Sequence, residues 1–389
     1  MRNDVSNIQL KERRKVSYAE CALISVVLVV ATKVCALPSV LVGIAGNKAV
    51  WVVLILAAIE CGILVFSVKT AKCGGLTELP LKKGFRIPLL LLFAIFFTLK
   101  LAAFTREIAA YFALSLFENV PVLPISILLL LACALLAGKG YMAIGRLTEV
   151  FVWLFTFVFL FVLIFTRTEG DLFNALGMFN PDLRGMGEGV LKGMAWFGDG
   201  AILSFLDLRG DERFSPHAQG ITPSPDRTKA KRKIAFSALL ASVLLVVLFY
   251  AVFISVYGDA AKMTDYAFIK LSAFKANADE LGSADWPVII LWSVLSCLYL
   301  ALLFLSGDAC LRGLFPKEEK KQALSFGVLG AAAVVIATFS LDEEADYVNF
   351  MTKILNVVTF VAAAAAIATG VYALRSENEK RGSENEEKN

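Results

Sequence analysis

The sequence predicts an all-α integral membrane protein of ten spanning helices, and three observations carry that expectation. Hydrophobic residues make up 58% of the 389, with a mean hydropathy of +0.71, whereas a soluble domain holds about 45–50% apolar residues. The excess arrives in blocks of roughly 20 residues, the length a helix needs to cross a hydrocarbon core. Lys and Arg alternate between the connecting segments: one alternate set carries 27 of the 38 and the other carries 8, the bias that orients membrane helices.

The apolar runs cover 19–45, 49–68, 87–115, 121–138, 148–166, 189–208, 234–257, 286–306, 322–340 and 348–373. They divide the chain into a cytoplasmic segment 1–18, a transmembrane domain 19–373 and a charged cytoplasmic tail 374–389, disordered from Glu377 onward. The basic stretch Lys11 to Lys15 leads into an apolar run longer than a signal h-region, with no small-x-small site, so the first helix is expected to stay in the protein. The Lys/Arg-rich connections lie inside, which places both termini in the cytoplasm, and the opposite connections carry acidic groups such as Asp342-Glu343-Glu344 and Asp279-Glu280. Segment 258–285 mixes charge with apolar residues and reads as an external loop with a surface helix. Loop 209–233 holds Pro216, Pro223, Pro225 and the basic cluster Lys229 to Lys233. It reads as a positive-inside anchor or a contact to lipid headgroups, and its lone His217 as inert.

Several function classes drop out. No Walker-type loop, H-E-x-x-H pair or histidine for a triad is present, and the G-x-G spacings at Gly185/Gly187, Gly187/Gly189 and Gly198/Gly200 follow no strand. No enzymatic activity, catalytic residue or cofactor is expected. The net charge of +4 comes without an arginine-rich strip, so nucleic acid is not an expected partner. Cys21, Cys35, Cys61, Cys133 and Cys297 lie in apolar runs, and Cys73 and Cys310 are placed in cytoplasmic loops. None has zinc spacing, so they read as small core residues and no metal site is expected.

Polar residues inside the runs carry the functional signal. The first span reads V-V-A-T-K-V-C-A-L-P-S, where Pro38 breaks the hydrogen-bond ladder and Thr32 and Ser39 can satisfy freed backbone groups. Lys33 lies near its middle, where a lysine needs pairing or hydration. The sixth span reads G-M-A-W-F-G-D-G, with Asp199 between Gly198 and Gly200. Two interrupted spans five helices apart are the pattern of a transporter built from two inverted repeats, whose breaks bind the ligand. Glu60 lies near the centre of the second span, and the third carries Lys100, Arg106 and Glu107. Lys100 and Glu107 share a helical face. These charges read either as ion pairs that hold the bundle or as a ligand or proton pathway. Lys33 is expected to pair with Asp199 across the breaks, or with Glu60.

Several stretches together resemble one family. A-T-K-V-C-A-L-P-S (31–39) with G-N-K-A-V-W (46–51), T-R-E-I (105–108), V-P-V-L-P-I-S-I-L-L-L-L (120–131), G-R-L-T-E-V (145–150), N-P-D-L-R-G-M-G-E-G-V-L-K-G (180–193) and W-F-G-D (196–199) are similar to the permease-like B subunits of spore nutrient-germinant receptors, in the amino acid–polyamine–organocation transporter superfamily. The likeness covers about residues 16–210. It implies a LeuT-like 5+5 fold with broken helices 1 and 6 and residence in the spore inner membrane. It also implies a complex with an A-type membrane subunit and a C-type lipoprotein, and recognition of a small nutrient such as an amino acid or sugar. By motif position it assigns Thr32, Lys33, Gly198, Asp199 and Gly200 to the ligand. Lys33 departs from the family, which has a small residue there, and could hold the place of a coupling cation. The competing readings are an autonomous proton-coupled amino-acid or amine transporter, with Asp199, Glu60 or Glu107 as proton carrier, and a membrane scaffold, which has no need of helix breaks.

Overall fold

The computed structural model describes residues 16–115, 120–167, 170–171, 174, 177–179, 185–208, 225–273, 285–315, 322–339, 341 and 344–386. His217, Pro216, Pro223, Asp279, Glu280, Asp342, Glu343 and Lys11 to Lys15 lie outside them.

Helix α1 (Tyr18–Val30) begins at a capping box. The Ser17 hydroxyl accepts from the Glu20 amide at 3.2 Å while the Glu20 carboxylate accepts from the Ser17 amide at 2.8 Å, so two otherwise unmet N–H groups are satisfied. After the turn 31–36 come α2 (Leu37–Ala45), α3 (Ala49–Lys72), α4 (Lys83–Ser115), α5 (Val122–Ala137) and α6 (Tyr141–Thr166). Then follow α7 (Met186–Gly193), the 3₁₀ stretches Met194–Trp196 and Asp199–Phe205, and α8 (Pro225–Tyr257). The 3₁₀ stretch Gly258–Met263 and α9 (Ala267–Ala273) lead to α10 (Asp285–Leu314) and α11 (Gln322–Phe339). The chain closes with α12 (Glu344–Asn349), a π-helical stretch Phe350–Leu355 and α13 (Asn356–Glu386).

Among the described residues, six helical segments are long and apolar enough to cross a membrane: Leu37–Lys72, Lys83–Ala113, Tyr141–Thr166, Ser237–Met263, Trp286–Leu314 and Ala345–Glu377. Three shorter apolar helices are Tyr18–Val30, Val122–Ala137 and Leu324–Thr338. Runs one and six are cut into short pieces and run four yields a helix of 16 residues, while run nine forms the 18-residue helix α11. Helix α10 is the central element, with 78% of its most apolar window buried, and it packs against α4, α5 and α6. Helix α8 packs on α1, and α13 on α3.

Four expectations are corrected. Among the described residues of 258–285, the α-helix is not on the surface: α9 buries Ala267, Phe268, Ile269, Leu271 and Ser272, and the Phe268 ring stacks on Phe159 at 4.6 Å. Cys310 is not in a loop but buried within α10. Residues 225–233 are the opening of α8, started by Pro225, whose fixed φ and missing N–H suit the first helical position. The tail is helical to Glu386, continuous with α13.

Candidate functional site

The two interruptions meet at one buried polar centre, and the first of them follows from Pro38. Proline lacks an N–H and crowds the carbonyl four residues back, so α1 ends before it and Pro38 sits in the first turn of α2. The turn 31–36 exposes backbone groups that lipid could not satisfy, and several of them have partners on other segments. Trp292 Nε1 donates to the Ala31 carbonyl at 3.3 Å, and Tyr250 hydroxyl to that of Lys33 at 3.0 Å. The Phe268 and Ala267 amides donate to Val34 and Cys35 carbonyls at 3.0 and 3.1 Å. The Ala36 amide donates to Glu107 Oε1 at 3.1 Å, and Lys33 Nζ to the Leu28 carbonyl at 2.6 Å. Ser39 donates to the Ala36 carbonyl at 2.9 Å, as its place beside the break suggests. Thr32 does not take the rescuing part expected of it: its hydroxyl is buried without a hydrogen-bond partner among the described residues.

The second interruption is set by glycine. Gly198 has φ +80°, a conformation that costs a side-chain-bearing residue free energy, and a Cβ there would lie 2.7 Å from the Thr359 methyl. Gly200 lets the chain approach α3, since a Cβ would lie 2.9 Å from Leu64 Cγ. This approach puts the Gly198 and Gly200 amides 2.5 and 2.6 Å from the two carboxylate oxygens of Glu60. Glu60 therefore caps the start of the 3₁₀ stretch, where a negative charge is favoured, and does not pair with Lys33.

Asp199, the first residue of that stretch, is the hub. One oxygen pairs with Lys33 Nζ. The other takes Lys100 Nζ at 2.5 Å and the Tyr299 hydroxyl at 2.8 Å. Lys100 also donates to the Phe197 carbonyl at 2.5 Å. The Lys33 ammonium lies 5.3 Å from the Phe197 ring centroid, and that of Lys100 lies 5.2 Å from Phe96. Lys33, Lys100 and Asp199 have no exposed surface and Glu60 has 1%. Two ammoniums and two carboxylates compensate one another, which a group of charges at this depth requires.

Glu107 and Arg106 stand apart from this centre. Glu107 Oε2 accepts from Tyr347 at 2.7 Å, so the carboxylate ties the first break to α12. Arg106 donates to the Leu341 carbonyl at 2.8 Å and lies over the Tyr347 ring. Lys100 and Glu107 thus share a helix and serve different clusters. Sequence reasoning missed Tyr299, Tyr347, Tyr250 and Trp292. The signal available was a polar-tipped aromatic inside an apolar run, which needs a buried partner. The arrangement holds the two broken segments together through compensated buried charges.

No family model and no curated protein matches the sequence. Solved structures do match in fold. A manganese transporter of Eremococcus coleocola, in complex with an aromatic bis-isothiourea substituted compound, superposes with a TM-score of 0.54 at 13% identity over 92% of this chain and 86% of that one. A single-residue mutant of the same transporter superposes with a TM-score of 0.54 at 13% identity over 92% of this chain and 77% of that one. Another gives 0.52 at 14% identity, with the same coverage as that mutant. The chain is a multi-pass membrane protein with a transporter-type fold.

Proposed function

We propose that this chain is the permease-like subunit of a spore nutrient-germinant receptor, which binds a small nutrient where the two broken segments meet and signals to partner subunits. The observation that carries the reading is the Lys33–Asp199 ion pair, which joins the first interruption to the second. A ligand that enters this junction acts on both segments at once, and differential affinity for two arrangements is all that signalling requires. Two unmet polar atoms, the Thr32 hydroxyl and Trp196 Nε1, lie in the two interrupted segments. An unsatisfied buried group costs about 1–3 kcal/mol, so a polar ligand there has groups to gain. In this reading the ten apolar runs form two inverted halves of five, Thr32, Lys33, Gly198, Asp199 and Gly200 face the nutrient, and both termini lie in the cytoplasm at the spore inner membrane.

Manganese, the ion in the neighbours' names, does not fit this centre as cargo. Both Asp199 oxygens are held by lysine and both Glu60 oxygens by backbone amides. No group of three or more His, Cys, Asp or Glu that could hold a metal gathers among the described residues. Tethered ammoniums already surround the Asp199 carboxylate, which favours an organic solute. The transporter fold supports one alternative: an autonomous proton-coupled amino-acid or amine transporter, in which Glu107 or Asp199 carries the proton.

The deciding experiment is purification of the tagged protein from spore membranes in mild detergent, with mass spectrometry of what accompanies it. An A-type membrane subunit and a C-type lipoprotein in comparable amounts support the receptor. The chain alone, from well-expressing spores, overturns it and leaves the transporter.

A further inference from the structure

A cavity of about 420 Å³ opens beside the first break, bordered by α2, α7, the segment 262–265 and the α12–π stretch. Its size falls within the range of about 300–1,000 Å³ typical of small-molecule sites. Val40 and Ile44 give it an apolar wall, and Lys192, Lys262, Lys353 and Asp265 supply its charge. Lys192 is already paired with Glu188 at 2.6 Å. Lys262 and Lys353 make no ion pair among the described residues, and only Asp265 opposes them in the lining, so the net charge facing this concavity is positive. A concave wall of low dielectric focuses such a field and raises the local concentration of counter-charged solutes.

We propose that this cavity is a binding site for a small carboxylate-bearing solute, distinct from the buried ion centre. The carboxylate sits between the Lys262 and Lys353 ammoniums, and the carbon skeleton lies on Val40 and Ile44. Tyr347 and Ala36 also border the cavity, and both are bonded to Glu107. Trp196, ahead of the second break, meets the Tyr347 ring edge-on with centroids 6.5 Å apart. A bound anion therefore touches the elements that keep the first break closed. The site holds for a receptor or a transporter alike. Failure of the assay below removes the site and leaves the receptor reading, whereas failure of co-purification does the reverse.

The test uses Gly43, which is exposed on the cavity wall with open space where a Cβ would stand. Gly43→Cys in the full-length protein, reconstituted in phosphatidylcholine nanodiscs so that no anionic headgroup competes, is labelled with an anionic and a cationic methanethiosulfonate. Protein without the substitution gives the background from the seven native cysteines. The expected anionic-to-cationic rate ratio is about tenfold above that of a free thiol. Succinate is expected to slow labelling saturably while 1,4-diaminobutane does not. Lys262→Gln with Lys353→Gln is expected to return the ratio to the free-thiol value and remove protection. A free-thiol ratio in the lysine-intact protein, or equal protection by the diamine, overturns the proposal. These measurements decide even if the double variant fails to insert.

Discussion

Lys33 and Asp199 form an ion pair between the two helix interruptions, with neither side chain exposed. Because Lys100 shares the same carboxylate, the pair is one side of a three-membered arrangement. A Lys33/Asp199 charge exchange, the obvious swap for a simple pair, would set two ammoniums side by side and is not expected to restore stability.

Asp199→Asn leaves two buried ammoniums without their shared counter-charge. Breaking a buried pair by removing one partner costs about 3–5 kcal/mol, so thermal unfolding in nanodiscs should show a large drop, and Lys33→Met a smaller one. The double variant should be less destabilised than the sum of the singles. An Asp199→Asn protein that melts with the wild type would dismiss the cluster as a stabilising centre.

Gly198→Ala combines a φ of +80° with a Cβ 2.7 Å from the Thr359 methyl. The backbone part alone costs about 1–3 kcal/mol. Thr359→Ser removes the methyl and should recover part of the melting temperature, though not the part due to φ. No recovery would place the whole effect in the backbone.

Tyr347→Phe deprives Glu107 Oε2 of its hydroxyl donor. The unmet oxygen should cost about 1–3 kcal/mol, read as a lower melting temperature. Glu107→Gln in the Tyr347→Phe background should then add less than it does alone, because the two share a bond. Full additivity in this double-mutant cycle counts against the Ala36–Glu107–Tyr347 tie.

Manganese should leave the protein's stability unchanged. A site with a Kd of about 10 µM, at about 1 mM free ion, would add about 2.7 kcal/mol. A manganese-dependent rise in melting temperature of that size would show that the lysines yield to the metal.

Much of this was legible in the sequence because membrane insertion leaves a coarse signature. Run lengths gave the apolar helices but overcounted those long enough to span, six among the described residues against ten expected, and Pro38 and the Gly198-Asp199-Gly200 triplet gave the breaks. The Lys33–Asp199 pair followed because opposite charges in low dielectric have few alternatives. Lys100 was less legible: its helical spacing pointed to Glu107, while its partner lies 99 residues away on another segment. Glu60 was misjudged as a pairing candidate because backbone amides freed at a break leave no trace in side-chain pattern. Segment 258–285 misled for a similar reason. Its charged residues resemble a solvated loop, while Phe268 and Ile269 between them are buried.

That segment has a kinetic consequence. Tyr266 holds φ +52°, an uncommon conformation for a bulky residue, and directs the next two amides onto Cys35 and Val34. Displacing the turn 31–36 must either drag α9 along, pulling its aromatic anchor off Phe159, or rupture both bonds together. If the proposed function holds, the described part of the connection between α8 and α10 would act as a brake on movement of the first break, through these two bonds and the Phe268–Phe159 stack.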